Sequence, residues 1–289
     1  MTTAGVETTR ALLAAEGYIA DAPLATVVHL ALAMGRPLFL EGEPGTGKTE
    51  IAKALAAATG RRLVRLQCHD GLDLAAAAYE WDYARQLIAI RRAEAGGETP
   101  DIYSREFLLT RPLLSAIDPA LPPAVLLIDE LDRADEPFEA FLLELLGEFQ
   151  LTIPQLGLIK ATTPPIVILT SNRTREVHDA IRRRCLYHWM AFPTAARELS
   201  ILRSRAPEIE AQLASQVVAF VQDVRGRDLY KPPGMAETID WALALAMLGE
   251  IGLSEPSVAA TIGVLLKYQD DIAALTAMGL GELVAAAVA

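Results

Sequence analysis

Eight consecutive residues, Gly42-Glu43-Pro44-Gly45-Thr46-Gly47-Lys48-Thr49, constrain this chain more than any other stretch. They fit G-x-x-x-x-G-K-[ST], the loop whose backbone N–H groups converge on phosphate oxygens. The flanks agree. Pro37-Leu38-Phe39-Leu40 reads as a buried strand entering the loop. Glu50 to Thr59, rich in Ala, Leu and Lys, reads as a helix that Gly60 ends. Strand, glycine loop and helix N-terminus together form an anion cradle, to which the helix dipole adds partial positive charge. Lys48 is placed to reach the outer phosphates and the Thr49 hydroxyl to ligate Mg²⁺. An accidental glycine turn would carry neither flank.

The whole chain bounds the rest. Its 289 residues have room for one large domain or two small ones, and 52% hydrophobic residues supply a core. The net charge of −11 argues against duplex DNA or RNA as the main partner, although a local basic stripe stays open. Cys68 and Cys185 lie far apart and form no C-x-x-C, which suits a reducing cytosol. Met1 to Thr9 is polar and lacks the basic opening of a signal peptide. No uncharged apolar run approaches the roughly 18 residues of a membrane span. These features predict a cytoplasmic protein with no membrane partner.

Along the chain, residues 7–34 read as two helices broken around Asp21-Ala22-Pro23. Arg62 to Gln67 reads as a strand, Trp81 to Arg92 as a helix, and Ala95 to Tyr103 as an exposed loop with Gly96-Gly97 and Pro100. The unbroken apolar run Ala124 to Ile128 suits a parallel strand buried on both faces. Apolar positions 138, 141, 142, 145 and 146 mark an amphipathic helix. Two short apolar stretches flanking Pro154-Gln155-Leu156-Gly157 predict a hairpin, Ile166 to Leu169 another buried strand, and Tyr187 to Phe192 a last one. Beyond Pro193 only helical periodicity remains, over 194–205, 207–224, 235–250, 256–268 and 271–288, with Pro207 and Pro256 suited to first helical positions. The expected fold class is α/β: an αβα nucleotide-binding domain over residues 1–192, followed by a helical domain over 193–289.

Other chemistry gathers at strand ends. Asp129-Glu130 closes a buried strand about eighty residues after the P-loop, where ligands of open α/β sheets bind. Asp129 suits the metal shell and Glu130 the polarising of an attacking water. Acidic strand ends also occur as solvated caps, and the P-loop weighs against that here. Asp132 and Asp135 read as surface or capping residues. Asn172 ends the next strand and could hydrogen-bond a terminal phosphate or the water. Arg182-Arg183-Arg184 ends a short helix; one of them could supply transition-state charge, while others complement the helix dipole. Cys68-His69 and Cys185 with His188 lack the spacing of a zinc site. Trp81, Trp189 and Trp241 read as core or interface anchors.

Three stretches, LEGEPGTGKTEIAKALA, LLIDELDRADEPFEAFLLELLGEFQLTIP and VILTSNRTREVHDAIRRRCLYHW, resemble AAA+ ATPases of the MoxR family. RLQCHDGLD, YEWDYARQL and PPGMAETIDWA are similar to its CoxD-like branch, the accessory ATPases of molybdenum CO dehydrogenase. The resemblance covers roughly Asp21 to Asp271. It implies a five-stranded parallel sheet in the αβα core, a helical lid, and a ring oligomer, usually a hexamer, with ATP and Mg²⁺ between neighbours. Gly42 to Thr49, followed by Glu50, would form the nucleotide-binding Walker A segment. Asp129 and Glu130 would form Walker B and Asn172 sensor 1. Arg184 stands at the family's finger position, with Arg183 as second choice. The stretch Lys231 to Thr238, where the family often has a sensor-2 arginine, carries no arginine. The implied work is chaperone-like maturation of a metalloenzyme client beside a von Willebrand A-domain partner. Alternatives are reactivation of an inhibited enzyme, as in Rubisco-activating members, a DNA-associated ATPase, or a small-molecule kinase or GTPase. The last lacks a guanine motif.

Overall fold

The computed structural model describes residues 3–96 and 100–289. The chain forms two compact units. The first takes the chain up to Glu16, then Ala20–Glu41 and Lys48–Trp189; the second takes Gly17–Ile19, Gly42–Gly47 and Met190–Ala289.

The first unit opens with α1 (Thr3–Ala15) and α2 (Ala22–Met34). Asp21 caps α2 by accepting the Leu24 N–H at 2.9 Å, with Pro23 in the first turn. There follow β1 (Leu38–Gly42), α3 (Lys48–Thr59), β2 (Arg62–Gln67), α4 (Leu74–Ala77), β3 (Tyr79–Trp81) and α5 (Tyr83–Gly96). Next come β4 (Leu108–Thr110), α6 (Pro112–Ile117), β5 (Ala124–Asp129), α7 (Glu136–Glu148), and the hairpin β6 (Gln150–Ile153) and β7 (Gly157–Lys160). The run closes with β8 (Ile166–Ser171), α8 (Asp179–Arg184) and β9 (Leu186–Met190). The main sheet has the order β2-β5-β8-β1-β9, with parallel pairing from β2 through β1. β5 is buried along its whole length, as its unbroken apolar run requires. Register places Gln67 beside Asp129 and Thr170 beside Leu40, so the polar residues of β5 and β8 collect at their carboxyl ends.

Several boundaries differ from expectation. Trp81 closes β3 instead of opening a helix, and Asp82 turns the chain into α5 by accepting the Arg85 N–H at 3.0 Å. α5 then runs to Gly96, so Ala95 is helical and not the start of a loop. Residues 97–99 of the expected loop lie outside the described residues. The β3–β4 pair, α4 and α6 were not foreseen, because elements of three to six residues carry too little periodicity. Trp81 is buried, while Trp189 on β9 is 40% exposed.

The second unit is helical, as expected: α9 (Ala195–Arg205), α10 (Ala211–Arg225), α11 (Met235–Met247), α12 (Glu255–Leu265), α13 (Gln269–Ala277) and α14 (Leu280–Val288). Its core centres on fully buried Trp241, whose Nε1 donates to Thr261 Oγ1 at 2.8 Å and whose ring lies 5.1 Å from Phe220. Pro207 does not open α10. It leads a turn in which the Ile209 N–H bonds to the Ala206 carbonyl, plugging Ile209 into the core before the helix begins. The expected last helix is two, because Gly279 sits at φ 90° and breaks the run between α13 and α14. Among the described residues no single helix is long and apolar enough to cross a membrane.

Candidate functional site

The acidic end of β5 carries the densest chemistry of the first unit. Asp129 is 4% exposed. Its Oδ1 accepts Thr170 Oγ1 at 2.6 Å and Thr49 Oγ1 at 3.2 Å. Thr49 lies in the first turn of α3, so helix and strand place hydroxyl and carboxylate side by side. Its Oδ2 accepts Arg65 through Nη2 at 2.6 Å and Nε at 3.1 Å. Nothing in the sequence reading gave Arg65 or Thr170 a role. Both sit on strands flanking β5, a neighbourhood that only the strand order reveals.

Glu130 leaves the strand with φ 54° and ψ 50°, the left-handed region that a glutamate seldom occupies. The Thr170 hydroxyl links both acidic residues, since it also accepts the Glu130 N–H at 2.9 Å. The Glu130 carboxylate is partly exposed and pairs with Arg133 at 2.9 Å. Asn172 follows β8 directly, and its side-chain amide has no hydrogen-bond partner among the described residues. Its backbone N–H donates to Asp132 Oδ1 at 3.2 Å. Asp132 corrects the surface reading: it is 3% exposed and also accepts Thr174 through N at 2.8 Å and Oγ1 at 2.7 Å. A buried carboxylate thus ties the end of β5 to the loop that carries Asn172. Asp135 does cap α7, accepting the Phe138 N–H at 3.0 Å.

Glu139 extends this scaffold. It is 1% exposed, pairs with Arg175 and accepts the His178 N–H at 2.7 Å, which fixes the entry to α8. The three arginines of α8 then part company. Arg182 pairs with buried Glu41 at 2.9 Å and lies 5.6 Å from the Phe39 ring centroid. Arg183 pairs with Asp179 at 2.6 Å in solvent. Arg184 donates to the Ala180 carbonyl at 3.1 Å and is exposed. Arg182 therefore has structural work, and Arg183 and Arg184 face outward.

Of the P-loop residues, Gly42–Gly47 belong to the second unit, and Lys48 and Thr49 open α3 in the first. Lys48 is 6% exposed. Glu50 pairs with Lys53 one turn along. Within the loop, Thr46 Oγ1 donates to the Glu43 carbonyl at 2.9 Å. Gly45 has φ 75°, and a Cβ there would stand 2.8 Å from the Gly234 Cα. Only glycine on both sides permits that approach, and the Met235 N–H bonds to the Gly45 carbonyl at 2.8 Å. Pro44, which follows Glu43 in the same loop, brings its carbonyl close to Gly234 as well.

The turn against Gly45 is itself braced. Arg225 and Glu198 form an ion pair at 2.6 Å with side chains 6% and 0% exposed. Arg225 also donates to the Pro233 carbonyl at 2.7 Å and lies 4.7 Å from the Phe192 centroid. Thr238 joins Glu198 at 2.9 Å and the Gly234 carbonyl at 3.0 Å. Sequence reading missed this cluster, because Glu198, Arg225 and Thr238 lie 13 to 40 residues apart and individually resemble surface residues.

The donor set fits magnesium. Mg²⁺ takes one or two protein oxygens and keeps water and phosphate in its other positions. Asp129 and Thr49 supply a carboxylate and a hydroxyl within 3.2 Å of each other. Among the described residues no three His, Cys, Asp or Glu side chains gather as a metal cluster. Cys68 and Cys185 are buried free thiols, each pushed up to about 12. Burial dominates both shifts; for Cys68 the field of Asp129, Asp132, Glu130 and Glu139 adds to it.

Two mutant forms of the RuvB protein of Thermotoga maritima have similar structures. One superposes with a TM-score of 0.51 at 16% identity, over 93% of this chain and 72% of its own. The other gives 0.50 at 16% identity, over 94% and 72%. At that identity the likeness speaks for the fold alone: a P-loop αβα core followed by helices. Residues 37–185, just over half of the chain, match the AAA domain of the dynein-related subfamily. That match runs from β1 through the P-loop and the acidic end of β5 to α8, and the chain belongs to this family.

Proposed function

We propose that this chain is an ATPase that turns hydrolysis into work on a protein client. The observation that carries the reading is the meeting of Thr49 and Asp129 at 3.2 Å, with Glu130 next in sequence on a strained backbone. Gly42 to Thr49 and Glu50 would hold the nucleotide, the loop's N–H groups and Lys48 meeting the phosphates. Bound Mg²⁺, held by Thr49 and Asp129, would neutralise phosphate charge. Glu130 orients and polarises a water, and Asn172, with its uncommitted amide, hydrogen-bonds that water or the terminal phosphate. Arg184, or Arg183 beside it, is exposed on α8 and suited to serve a neighbouring subunit of a ring, taken here as a hexamer.

The client reading rests on sequence. The stretches RLQCHDGLD, YEWDYARQL and PPGMAETIDWA resemble the CoxD-like branch of the MoxR family. On that resemblance the client is a molybdenum hydroxylase of the CO dehydrogenase type and the adaptor a von Willebrand A-domain protein. The net charge of −11 disfavours nucleic acid as the stimulant. Deleting the gene and assaying metal content, cofactor content and activity of that hydroxylase tests the proposal. An under-metallated, inactive enzyme is expected. A fully active and fully loaded one rules out maturation and favours reactivation of an inhibited enzyme.

A further inference from the structure

The carboxylate of Asp129 has no free position. Thr170 and Thr49 occupy Oδ1, and Arg65 occupies Oδ2 with two N–H groups at 2.6 and 3.1 Å. A metal ion binding this carboxylate must displace a donor. The three donors differ in what it costs to move them. Thr170 is 1% exposed and also holds the Glu130 N–H. Thr49 is fixed in the first turn of α3. Arg65 stands on β2, an edge strand of the sheet, and half of its side chain is in solvent. Its half-exposed head can return to water, while the Thr170 hydroxyl is buried and already holds the Glu130 N–H. A guanidinium and a divalent cation also repel each other at one oxygen.

We propose that Arg65 is a displaceable counter-ion at the metal position: it neutralises buried Asp129 in the resting protein and withdraws when Mg²⁺ enters. The idea rests on the nucleotide reading above. Arg65 thereby sets the magnesium concentration at which the site loads. A purely structural arginine would leave that concentration unchanged.

The test follows binding of a fluorescent ATP analogue while MgCl₂ is varied, for wild type and Arg65→Gln. The half-saturating Mg²⁺ concentration is expected to fall by about tenfold in Arg65→Gln, the scale of one hydrogen bond to a charged group. Affinity in EDTA should stay the same. A second readout needs no nucleotide: MgCl₂ alone should raise the melting temperature of Arg65→Gln and leave wild type unmoved. Should Arg65→Gln fail to fold, Arg65→Lys keeps the charge on a single donor nitrogen without the guanidinium fork, and its half-saturating concentration should fall by a smaller factor. Unchanged Mg²⁺ dependence in a variant that binds the analogue overturns the proposal and leaves the nucleotide reading standing. A wild type that does not bind the analogue at all overturns both.

Discussion

Burial decides what single residues can do. Cys68 lies at the end of β2 among carboxylates and Cys185 at the end of α8, and both thiols are held near 12. At pH 8 a thiol with that value is ionised in roughly one molecule in ten thousand, and the thiolate is the reactive form. Neither cysteine should react with a thiol-specific disulfide reagent at pH 8 until the protein is denatured, when two thiols per chain should appear. Rapid labelling of the native chain would contradict the burial of both. The carboxylates divide in a similar way. Asp129, Asp132 and Glu139 are buried and bound from several sides, whereas Glu130 is partly exposed with one pairing. The first three build a frame, and Glu130 keeps an oxygen available to water.

At the scale of elements, the buried pair Arg225–Glu198 connects α10, α9 and the turn that precedes α11. Removing one partner strands a charge with no exposed surface. Arg225→Met is expected to lower stability by about 3–5 kcal/mol, followed in denaturant through intrinsic tryptophan fluorescence. Pairing it with Glu198→Leu should recover most of the loss, because an apolar pair removes the desolvation cost along with the attraction. A single substitution that costs nothing would show the pair to be idle. Long elements such as α7 and β5 were legible in the sequence, since thirteen residues of helical period or an unbroken apolar run leave little choice. The P-loop, Asp129-Glu130 and Asn172 were legible because a motif and strand ends mark them. Arg65, Thr170, Asp132 and the Arg225 cluster were not, because each acts through a partner brought near only by strand order or helix packing. The break at Gly279 was hidden by apolar periodicity that runs straight across it.

For the whole molecule, the proposed ring makes Arg184 answer to a neighbour. Arg184→Ala should lose turnover while keeping nucleotide affinity. Mixing it with Lys48→Ala should restore part of the activity, because some interfaces then pair an intact P-loop with an intact arginine. Confirmed mixed rings without any recovery would transfer the role to Arg183 or return Arg184 to its bond with the Ala180 carbonyl. Both outcomes presuppose that the chain hydrolyses ATP. That claim is tested most directly by measuring nucleotide binding and steady-state hydrolysis side by side for wild type and Glu130→Gln. The amide keeps the shape of the side chain and loses the charge that polarises water, while Asp129 and Thr49 are untouched. Wild type should turn over ATP, and Glu130→Gln should bind it as tightly and hydrolyse it at least about a hundredfold more slowly. Equal hydrolysis by the two proteins, or none by wild type under conditions where it binds ATP and Mg²⁺, would contradict the account.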